Sequence, residues 1–361
     1  MFSKNAPCRV LRYSEELPED FAERVNKRCL TFEEARNTSE AVMLGWCNPD
    51  NLFDDNAMTY AGHLYVVGFV LYKRNVSSKA LAYEVKRRIE RELANTGKRF
   101  VSRERKKEIK EQVTVEFLSK TPVQPTITNV IIDPAKHFIY VYSSSNKVVD
   151  NVKQLFEVTA ANQTGVYERS AVDFIPPEED LVDYEEYTEN FLTWLWYTTE
   201  TNSFKSYESG DDMQSAYSIV PDERIVVGDK DSGICSVNGD IREARNGIFN
   251  GKSVAKFSFS LVGDYQKGKT YGRMETSCMF NKDFFFNKIE FSIELFKDVV
   301  DNREEYIAMY VHETTEHAYN FVATAVREFN KIYFTAEWKN LGREIWNWSR
   351  GDVCIKAFSD V

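Results

Sequence analysis

Two neighbouring stretches of apolar residues constrain the fold of this chain most strongly. The first stripe is Leu81, Val85, Ile89 and Leu93, and the second is Ile109, Val113 and Phe117. A spacing of four residues places such side chains on one face of an α-helix. Asn95-Thr96-Gly97 favours a helix end, and Ser102 favours the start of the next helix. Residues 79–120 therefore predict a helical hairpin that buries both stripes.

The same region carries a positive charge that the rest of the chain does not share. It contains 13 Lys or Arg and 7 Glu, a net charge of +6, although the whole chain has a net charge of −10. By contrast, Asp173 to Glu189 contains eight acidic residues and no basic one. Because binding to phosphate needs a local positive potential, residues 79–120 are the candidate surface for a polyanion.

Eleven lysines and arginines of this region are the candidate phosphate contacts, and among them Arg87, Arg91, Arg103, Lys107 and Lys110 are expected to point away from the apolar stripes. The eleven residues are Lys86, Arg87, Arg91, Lys98, Arg99, Arg103, Arg105, Lys106, Lys107, Lys110 and Lys120. Contacts to phosphate position a protein on a duplex without reading its sequence. The alternative is that both helices are simply solvated, with pairs such as Glu84 and Arg88 adjusting the surface charge.

The stretch GDYQKGKT, residues 263–270, matches the phosphate-binding loop G-x-x-x-x-G-K-[ST]. That loop requires a buried strand before it and a helix after it. Residues 256–262 alternate as a strand does, but residues 271–280 also favour a strand, with Gly272 where the helix would begin. We therefore expect a β-hairpin at this position rather than a nucleotide site.

The remaining pattern predicts an α+β fold with mixed antiparallel sheets. Helices are expected near 18–29, 147–156 and 191–196, followed by a long helix at 302–329. Strands are expected at 9–13, 63–72, 128–132, 137–142, 224–227, 256–262, 273–280 and 288–296. We predict an N-terminal α+β domain at 1–170, a C-terminal α+β domain at 171–334, and a Trp-rich tail of unknown role at 335–361.

No metal, cofactor or catalytic site is predicted. His312 and His317 are five residues apart, which does not place both on one helix face as a zinc-binding H-E-x-x-H motif does, so we interpret them as lying on a helix surface. The acidic run 173–189 is interpreted as a solvated connector rather than a nuclease site. The six cysteines lack any C-x-x-C motif and are expected to be reduced and mostly buried.

The N-terminal sequence lacks the apolar centre of a signal peptide, and no run approaches the length of a membrane span. We therefore expect the chain to be cytoplasmic, without contact with a membrane.

The order of these motifs resembles the bacterial recombination-associated RdgC family. The shared features are Gly45-Trp46 in an early loop, a strand that begins at His63, Val85-Lys86, the run from Ser102 to Val113, and Asp133 at a hairpin turn. Further on, residues 191–195 and 251–257 are similar to a Trp-containing helix and a strand entry of that family. The familiar Arg-Ala-Phe after the second basic helix is replaced by Lys120-Thr121-Pro122.

This resemblance implies a homodimer that closes into a ring around double-stranded DNA and binds it without sequence preference. It also implies a nucleoid location and an influence on recombination through competition with the RecA recombinase. Two alternatives stay open at the level of sequence: a metal-dependent DNA exonuclease, an activity with which family members are sometimes labelled, and a protein-interaction module that has kept the fold and lost DNA binding.

Overall fold

A computed structural model of the chain describes residues 7–97, 99–161, 165–170, 183–201, 207–208, 216–228, 233–238, 242–267, 270–281, 286–295 and 303–350. Within these residues the named strands pair in antiparallel fashion and are combined with α-helices. The predicted α+β class with mixed antiparallel sheets is therefore confirmed.

The elements are numbered in chain order. The helices are α1 (Phe21–Asn26), α2 (Phe32–Arg36), α3 (Ser78–Thr96), α4 (Arg103–Lys120), α5 (Asn146–Thr159), α6 (Tyr184–Glu200), α7 (Arg242–Phe249), α8 (Arg303–Tyr333) and α9 (Glu337–Ser349). The strands are β1 (Arg9–Tyr13), β2 (Val42–Cys47), β3 (Met58–Ala61), β4 (Leu64–Lys73), β5 (Gln124–Asp133), β6 (Phe138–Val141), β7 (Val166–Glu168), β8 (Tyr207–Glu208), β9 (Ala216–Val227), β10 (Cys235–Asn238), β11 (Val254–Lys267), β12 (Thr270–Asn281) and β13 (Phe286–Leu295).

The chain divides into two compact units. The first consists mainly of Glu15–Ala135 and Gln154–Gly165, and the second of Phe2–Ser14, Lys136–Lys153 and Val166–Val361. The domain boundaries that the sequence suggests after residues 170 and 334 stay predictions.

In the first unit β4 is the central strand. It pairs with β2 and β3 along one side and with β5 along the other. Its sequence LYVVGFVLYK is a nearly continuous apolar run, and Val67, Phe69, Val70 and Tyr72 are all fully buried. Strands with both faces covered show such runs, whereas a half-exposed strand alternates. β4 is thus the core on which the rest of this unit is built.

Gly45 and Trp46 fix the edge of this sheet. Trp46 is fully buried, and its indole Nε1 donates a hydrogen bond of 2.9 Å to Thr159 Oγ1. Its backbone pairs with Arg28 and Leu30, which run alongside β2. A Cβ atom at position 45 would lie 2.7 Å from Leu30 Cβ, so only glycine allows this close approach.

A buried arginine holds the C-terminal end of α4 in place. Arg74 is 7% exposed, and its Nη2 donates to the carbonyl oxygens of Ala35, Arg36 and Thr38 at the end of α2. Its Nη1 donates to the carbonyl of Thr121, the residue that follows α4. Carbonyls at helix ends lack partners within the helix and carry partial negative charge. Arg74 therefore accommodates carbonyl groups at two helix ends at once and ties the end of α4 to the end of α2.

The second unit contains an antiparallel sheet in the order β10-β9-β11-β12-β13, with β8 also paired to β9. α6 and α8 cover it with aromatic side chains: Phe191 of α6 contacts Phe280, and Phe321 of α8 contacts Phe259. In the same unit β1 pairs with β6 and with β7. α8 begins and ends close to the predicted long helix, and α6 includes the predicted Trp-rich segment.

The structure confirms the β-hairpin at the sequence GDYQKGKT. β11 and β12 are antiparallel partners from Lys256 and Asn281 as far as Lys267 and Thr270. Gly268 and Lys269 lie outside the described residues. Because a strand and not a helix follows Thr270, the motif lacks the helix N-terminus that a phosphate-binding loop requires.

The interpretation of His312 and His317 as surface residues is wrong. Both are buried, at 7% and 6% exposure, because α8 is covered by other elements of its unit at this point. The ring of His312 packs edge-on against Tyr140, with centroids 4.9 Å apart. Glu316, which lies between the two histidines in sequence, forms an ion pair with Arg169 and accepts a hydrogen bond of 2.8 Å from Tyr140. Helix spacing alone does not show how many neighbours a helix has.

The Trp-rich tail contains a helix that the sequence analysis does not predict. Trp348 of α9 is buried against Trp196 and Tyr197 of α6, and Trp338 packs against Phe329 and Tyr333 of α8. Trp348 therefore belongs to the core of the second unit, and Trp338, which is half-buried, packs at the edge of that core.

Part of the acidic run 173–189 is helical. Residues 173–182 lie outside the described part, but Asp183 caps α6 by accepting hydrogen bonds from the backbone of Glu185 and Glu186. Carboxylates are favourable at a helix N-terminus. The end of the run is thus the start of a helix and not a connector.

The cysteines that the structure describes have free thiols. Cys8, Cys47 and Cys278 are buried and Cys29 is half-buried. Burial raises the pKa of Cys29 to about 11 and the pKa values of Cys8 and Cys47 to about 12. These thiols are therefore protonated near neutral pH and poorly nucleophilic. The side chains of Cys235 and Cys354 lie outside the described residues.

Gly45→Ala is expected to destabilise the protein by about 1–3 kcal/mol, the usual cost of overpacking a well-packed site. The added Cβ would also lie 3.1 Å from the carbonyl oxygen of Arg28, so both side chain and backbone would have to shift. Urea unfolding measures the change. Gly342→Ala in α9 is the control: no atom lies within 4 Å of the added Cβ, so this helical substitution should stabilise slightly. Equal stability of Gly45→Ala and the wild type would contradict the proposed role of this glycine.

Candidate nucleic-acid interface

α3 and α4 begin and end where the sequence predicts. Ser77 and Ser102 cap them, with side-chain oxygens that accept hydrogen bonds from the backbone of Ala80 and Arg105. Gly97 follows α3 with φ +64°, a left-handed conformation that favours glycine and ends a helix. The Gly97 stop and the Ser102 cap are therefore as predicted, whereas the Ser77 cap was not predicted.

Burial of the two apolar stripes differs from the prediction. On α4, Ile109 and Val113 are buried as expected, and Phe117 is half-buried. On α3 no residue is fully buried: Leu81, Val85, Ile89 and Leu93 are only half-buried. The prediction that the α3 stripe is fully buried is therefore wrong. The four residues are nevertheless partly covered, as a stripe on one helix face would be. The apolar contact between the two helices is correspondingly modest.

Two ion pairs join α3 to α4. Arg88 on α3 donates to both carboxylate oxygens of Glu116 on α4, at 2.8 and 2.6 Å. Nearer the connection, Arg105 on α4 donates through Nε to both oxygens of Glu92 on α3, at 2.9 and 3.1 Å. The two parallel bonds from the planar Arg88 guanidinium to Glu116 fix the geometry of that pair, whereas the single Nε–H of Arg105 is shared between the two oxygens of Glu92. These pairs therefore set how α3 and α4 lie against each other.

Each of these arginines also binds a second carboxylate on its own helix. Arg88 contacts Glu84 at 3.0 Å, and Arg105 contacts Glu108 at 2.8 Å. Hydrogen bonds from Arg88 hold the pKa of Glu116 below its ordinary value, and bonds from Arg87 and Arg88 do the same for the pKa of Glu84. The positive charges of Arg88 and Arg105 are thus already balanced by carboxylates of the same two helices.

Another face of α4 carries exposed basic residues that are mostly not paired with carboxylates. Arg103, Lys106 and Lys110 are exposed, and among the described residues they form no ion pair. With Lys107 they follow the spacing i, i+3, i+4, i+7, which places them on one helix face. Lys107 lies 3.8 Å from Glu111 and is strongly exposed. We call Arg103, Lys106, Lys107 and Lys110 the outer basic face.

The other predicted contacts are distributed around α3 and the ends of α4. Lys86 and Arg87 are exposed but lie near Glu90 and Glu84, at 3.9 and 2.9 Å. Arg91, Arg99 and Lys120 are exposed. Lys98 lies outside the described residues. Arg105 differs from the rest because two carboxylates already hold its guanidinium. Its role in binding stays a prediction.

One exposed aromatic residue in this region was not among the predicted contacts. Phe100, in the connection between the two helices, is 77% exposed and lies between Arg99 and Arg103 in sequence. The available signal was an aromatic residue within a basic segment, which is typical of nucleic-acid surfaces.

The described residues contain no group of three or more His, Cys, Asp or Glu side chains that could hold a metal ion. In the same part of the chain, no helix has the length and apolar character needed to cross a membrane.

Residues 1–166 match the RdgC family. The family is described as "Putative exonuclease, RdgC". The matched region contains α3, α4 and the sheet that supports them, and it confirms the resemblance seen in the sequence. A search of curated proteins gave no match.

The residues that carry the RdgC resemblance in the first unit have structural roles. Gly45 and Trp46 fix the sheet edge, as described above. His63 is exposed, and its Nε2 lies 3.8 Å from Oδ1 of Asp133, which is fully buried at the end of β5. Asp133 also accepts a hydrogen bond from the backbone of Ala135, which shapes the turn after β5. These motifs therefore identify the fold and do not by themselves add a functional site.

Glu116→Gln is expected to lower the thermal midpoint at neutral pH, because the amide cannot replace the ion pair with Arg88. The folded-state pKa of Glu116 is depressed, so its stabilising effect is present above the unfolded pKa and is lost as pH falls through the folded value, below 4.5. Thermal unfolding of both proteins across this acidic range tests the linkage.

The matched control is Glu111→Gln, which removes a carboxylate whose partner Lys107 is strongly exposed. It should change the midpoint less than Glu116→Gln does. A Glu116→Gln difference that persisted unchanged at acidic pH would contradict the assigned role of the ion pair.

Proposed function

We propose that this protein binds double-stranded DNA without sequence preference through the outer basic face of α4, assisted by exposed cations of α3. The RdgC match over residues 1–166 supports a role in recombination-associated DNA binding. The observation that carries the proposal is the sorting of charge on the α3–α4 pair. Arginines between the helices are neutralised by glutamates, whereas Arg103, Lys106 and Lys110 are exposed without an ion pair among the described residues.

The chemistry of these side chains suits contacts with phosphate groups. An unpaired ammonium or guanidinium group can neutralise a phosphate and release a condensed counterion. The four cations of the outer basic face lie on about two turns of one helix, so they can follow a DNA backbone but cannot read bases in the groove by themselves. Binding through them would therefore be independent of sequence and sensitive to salt.

Reversal of charge on this face should weaken duplex binding strongly, as tested in the triple variant Arg103→Glu, Lys106→Glu and Lys110→Glu. For each phosphate that the protein no longer neutralises, the slope of log affinity against log salt should become shallower by about 0.9. Fluorescence anisotropy with a labelled duplex, at salt concentrations between about 50 and 200 mM, measures both the affinity and this slope.

The matched control reverses two lysines and one arginine that are exposed in the second unit, Lys147, Lys339 and Arg343. Both triple variants have the same net charge. Retention of binding by the control and its loss in the α4 variant would support a local interface. Equal losses in both would mean that only overall charge matters and would overturn the proposal.

The RdgC resemblance further supports a proposal about assembly. We infer that two copies join into a ring that encloses the duplex, so that each basic face is presented twice about a two-fold axis. Such a ring would restrict access of the RecA recombinase to the DNA and would place the protein at the nucleoid.

Closed circular DNA tests this assembly directly. A ring should stay on a closed circle after transfer to high salt and leave when a restriction enzyme opens the circle. The mass of the free protein in solution should be twice that of the 41.9 kDa chain. A monomer, or equal release from closed and opened DNA, would contradict the ring.

A further inference from the structure

The connection between α3 and α4 borders an open cavity that the proposed function does not use. It has a volume of about 480 Å³ and is lined by Glu92, Thr96, Arg99, Phe100, Val101, Ser102 and Arg105. Small-molecule sites in proteins usually have volumes of about 300–1,000 Å³. The cavity combines an aromatic ring, an ion pair and an exposed cation in one small region of the first unit.

Phe100 is the most exposed large hydrophobic residue among those described, at 77%. Single exposed apolar residues are common on protein surfaces and need no explanation by themselves. Here, however, the ring lines a cavity and is flanked in sequence by Arg99 and Arg103, both exposed. Phe53 is also exposed, at 64%, but it is followed by Asp54 and Asp55. The positive charge around Phe100 therefore favours a ligand that carries negative charge and can stack on an aromatic ring. The negative charge around Phe53 does not.

The ion pair in the cavity supplies polar groups for an edge of the ligand. Both oxygens of Glu92 accept hydrogen bonds from Arg105 Nε, so the carboxylate is paired with a cation at the cavity wall. Arg105 Nη1 donates a hydrogen bond of 2.8 Å to Glu108, so the guanidinium presents donors beside the Glu92 carboxylate. A neutral heterocycle with a donor and an acceptor on one edge fits this pair.

We propose that this cavity receives one unpaired nucleobase of a DNA strand, stacked on Phe100, with the neighbouring phosphates on Arg99 and Arg103. The proposal rests on the proposed function, because the outer basic face continues from Arg103 and would guide the strand to the cavity. An intact duplex keeps its bases stacked inside and cannot fill the site. A duplex with an unpaired nucleotide, a gap or a single-stranded end can do so at little cost.

The full-length protein should therefore prefer an interrupted duplex to an intact one of the same sequence. Phe100→Ala should weaken binding to the interrupted duplex roughly 5- to 150-fold, the range for loss of base stacking on an aromatic ring. Its affinity for the intact duplex and its salt slope should not change. Phe100→Trp should retain the preference. Phe53→Ala, which removes an exposed phenyl ring from an acidic setting, should behave as the wild type does.

A second measurement reports on the stack itself. With 2-aminopurine at the unpaired position, wild-type protein should quench its fluorescence, and Phe100→Ala should not. Competition with deoxyadenosine monophosphate separates the two sources of the same chemistry. Failure of the mononucleotide to displace the DNA supports the proposal, whereas displacement by a comparable concentration would assign the cavity to a free nucleotide and overturn it.

The outcomes also separate this inference from the function on which it rests. Equal affinity of the wild type for intact and interrupted duplexes, unchanged in Phe100→Ala, would overturn the base site and leave duplex binding standing. Absence of binding to either DNA would overturn both.

Discussion

Two cross-helix ion pairs determine how the basic side chains of this protein are presented. α3 has no fully buried residue, so its apolar stripe alone gives little burial against α4. The pairs Arg88–Glu116 and Arg105–Glu92 supply directional contacts that the apolar stripe lacks. The same contacts neutralise the arginines between the helices. Three of the four cations of the outer basic face, by contrast, form no ion pair among the described residues, and the proposed interface with DNA depends on this difference.

The rest of the first unit holds this pair of helices in place. Arg74 satisfies carbonyl groups at the ends of α2 and α4 together, and it is buried beside the core built on β4. The base of α4 is thus fixed by the core, whereas the far end, with Phe100, is exposed. This arrangement suits binding to an extended ligand such as DNA. The core sets the orientation of α4, and the exposed side chains make the contacts.

Much of the fold could be predicted from local sequence chemistry. The periodicity of α3 and α4, the Ser102 cap and the Gly97 stop are properties of short segments, and the β-hairpin at residues 263–270 follows from the strand pattern on both sides. Depth of burial could not be predicted in the same way. The burial of His312 and His317 and the presence of α9 depend on which elements pack nearby, and periodicity carries no information about those neighbours. The ion partners of Arg88 and Arg105 are 28 and 13 residues away, and a pattern of neighbouring charges does not reveal them.

Protection of individual lysines by duplex DNA tests the account most directly. The free protein and its DNA complex would be acetylated under matched conditions, and each lysine quantified by mass spectrometry. Lys106 and Lys110 should be protected by duplex DNA, and protection should disappear at high salt, while the exposed Lys147 and Lys339 should react equally in both samples. Equal reactivity of Lys106 and Lys110 in bound and free protein would contradict the account.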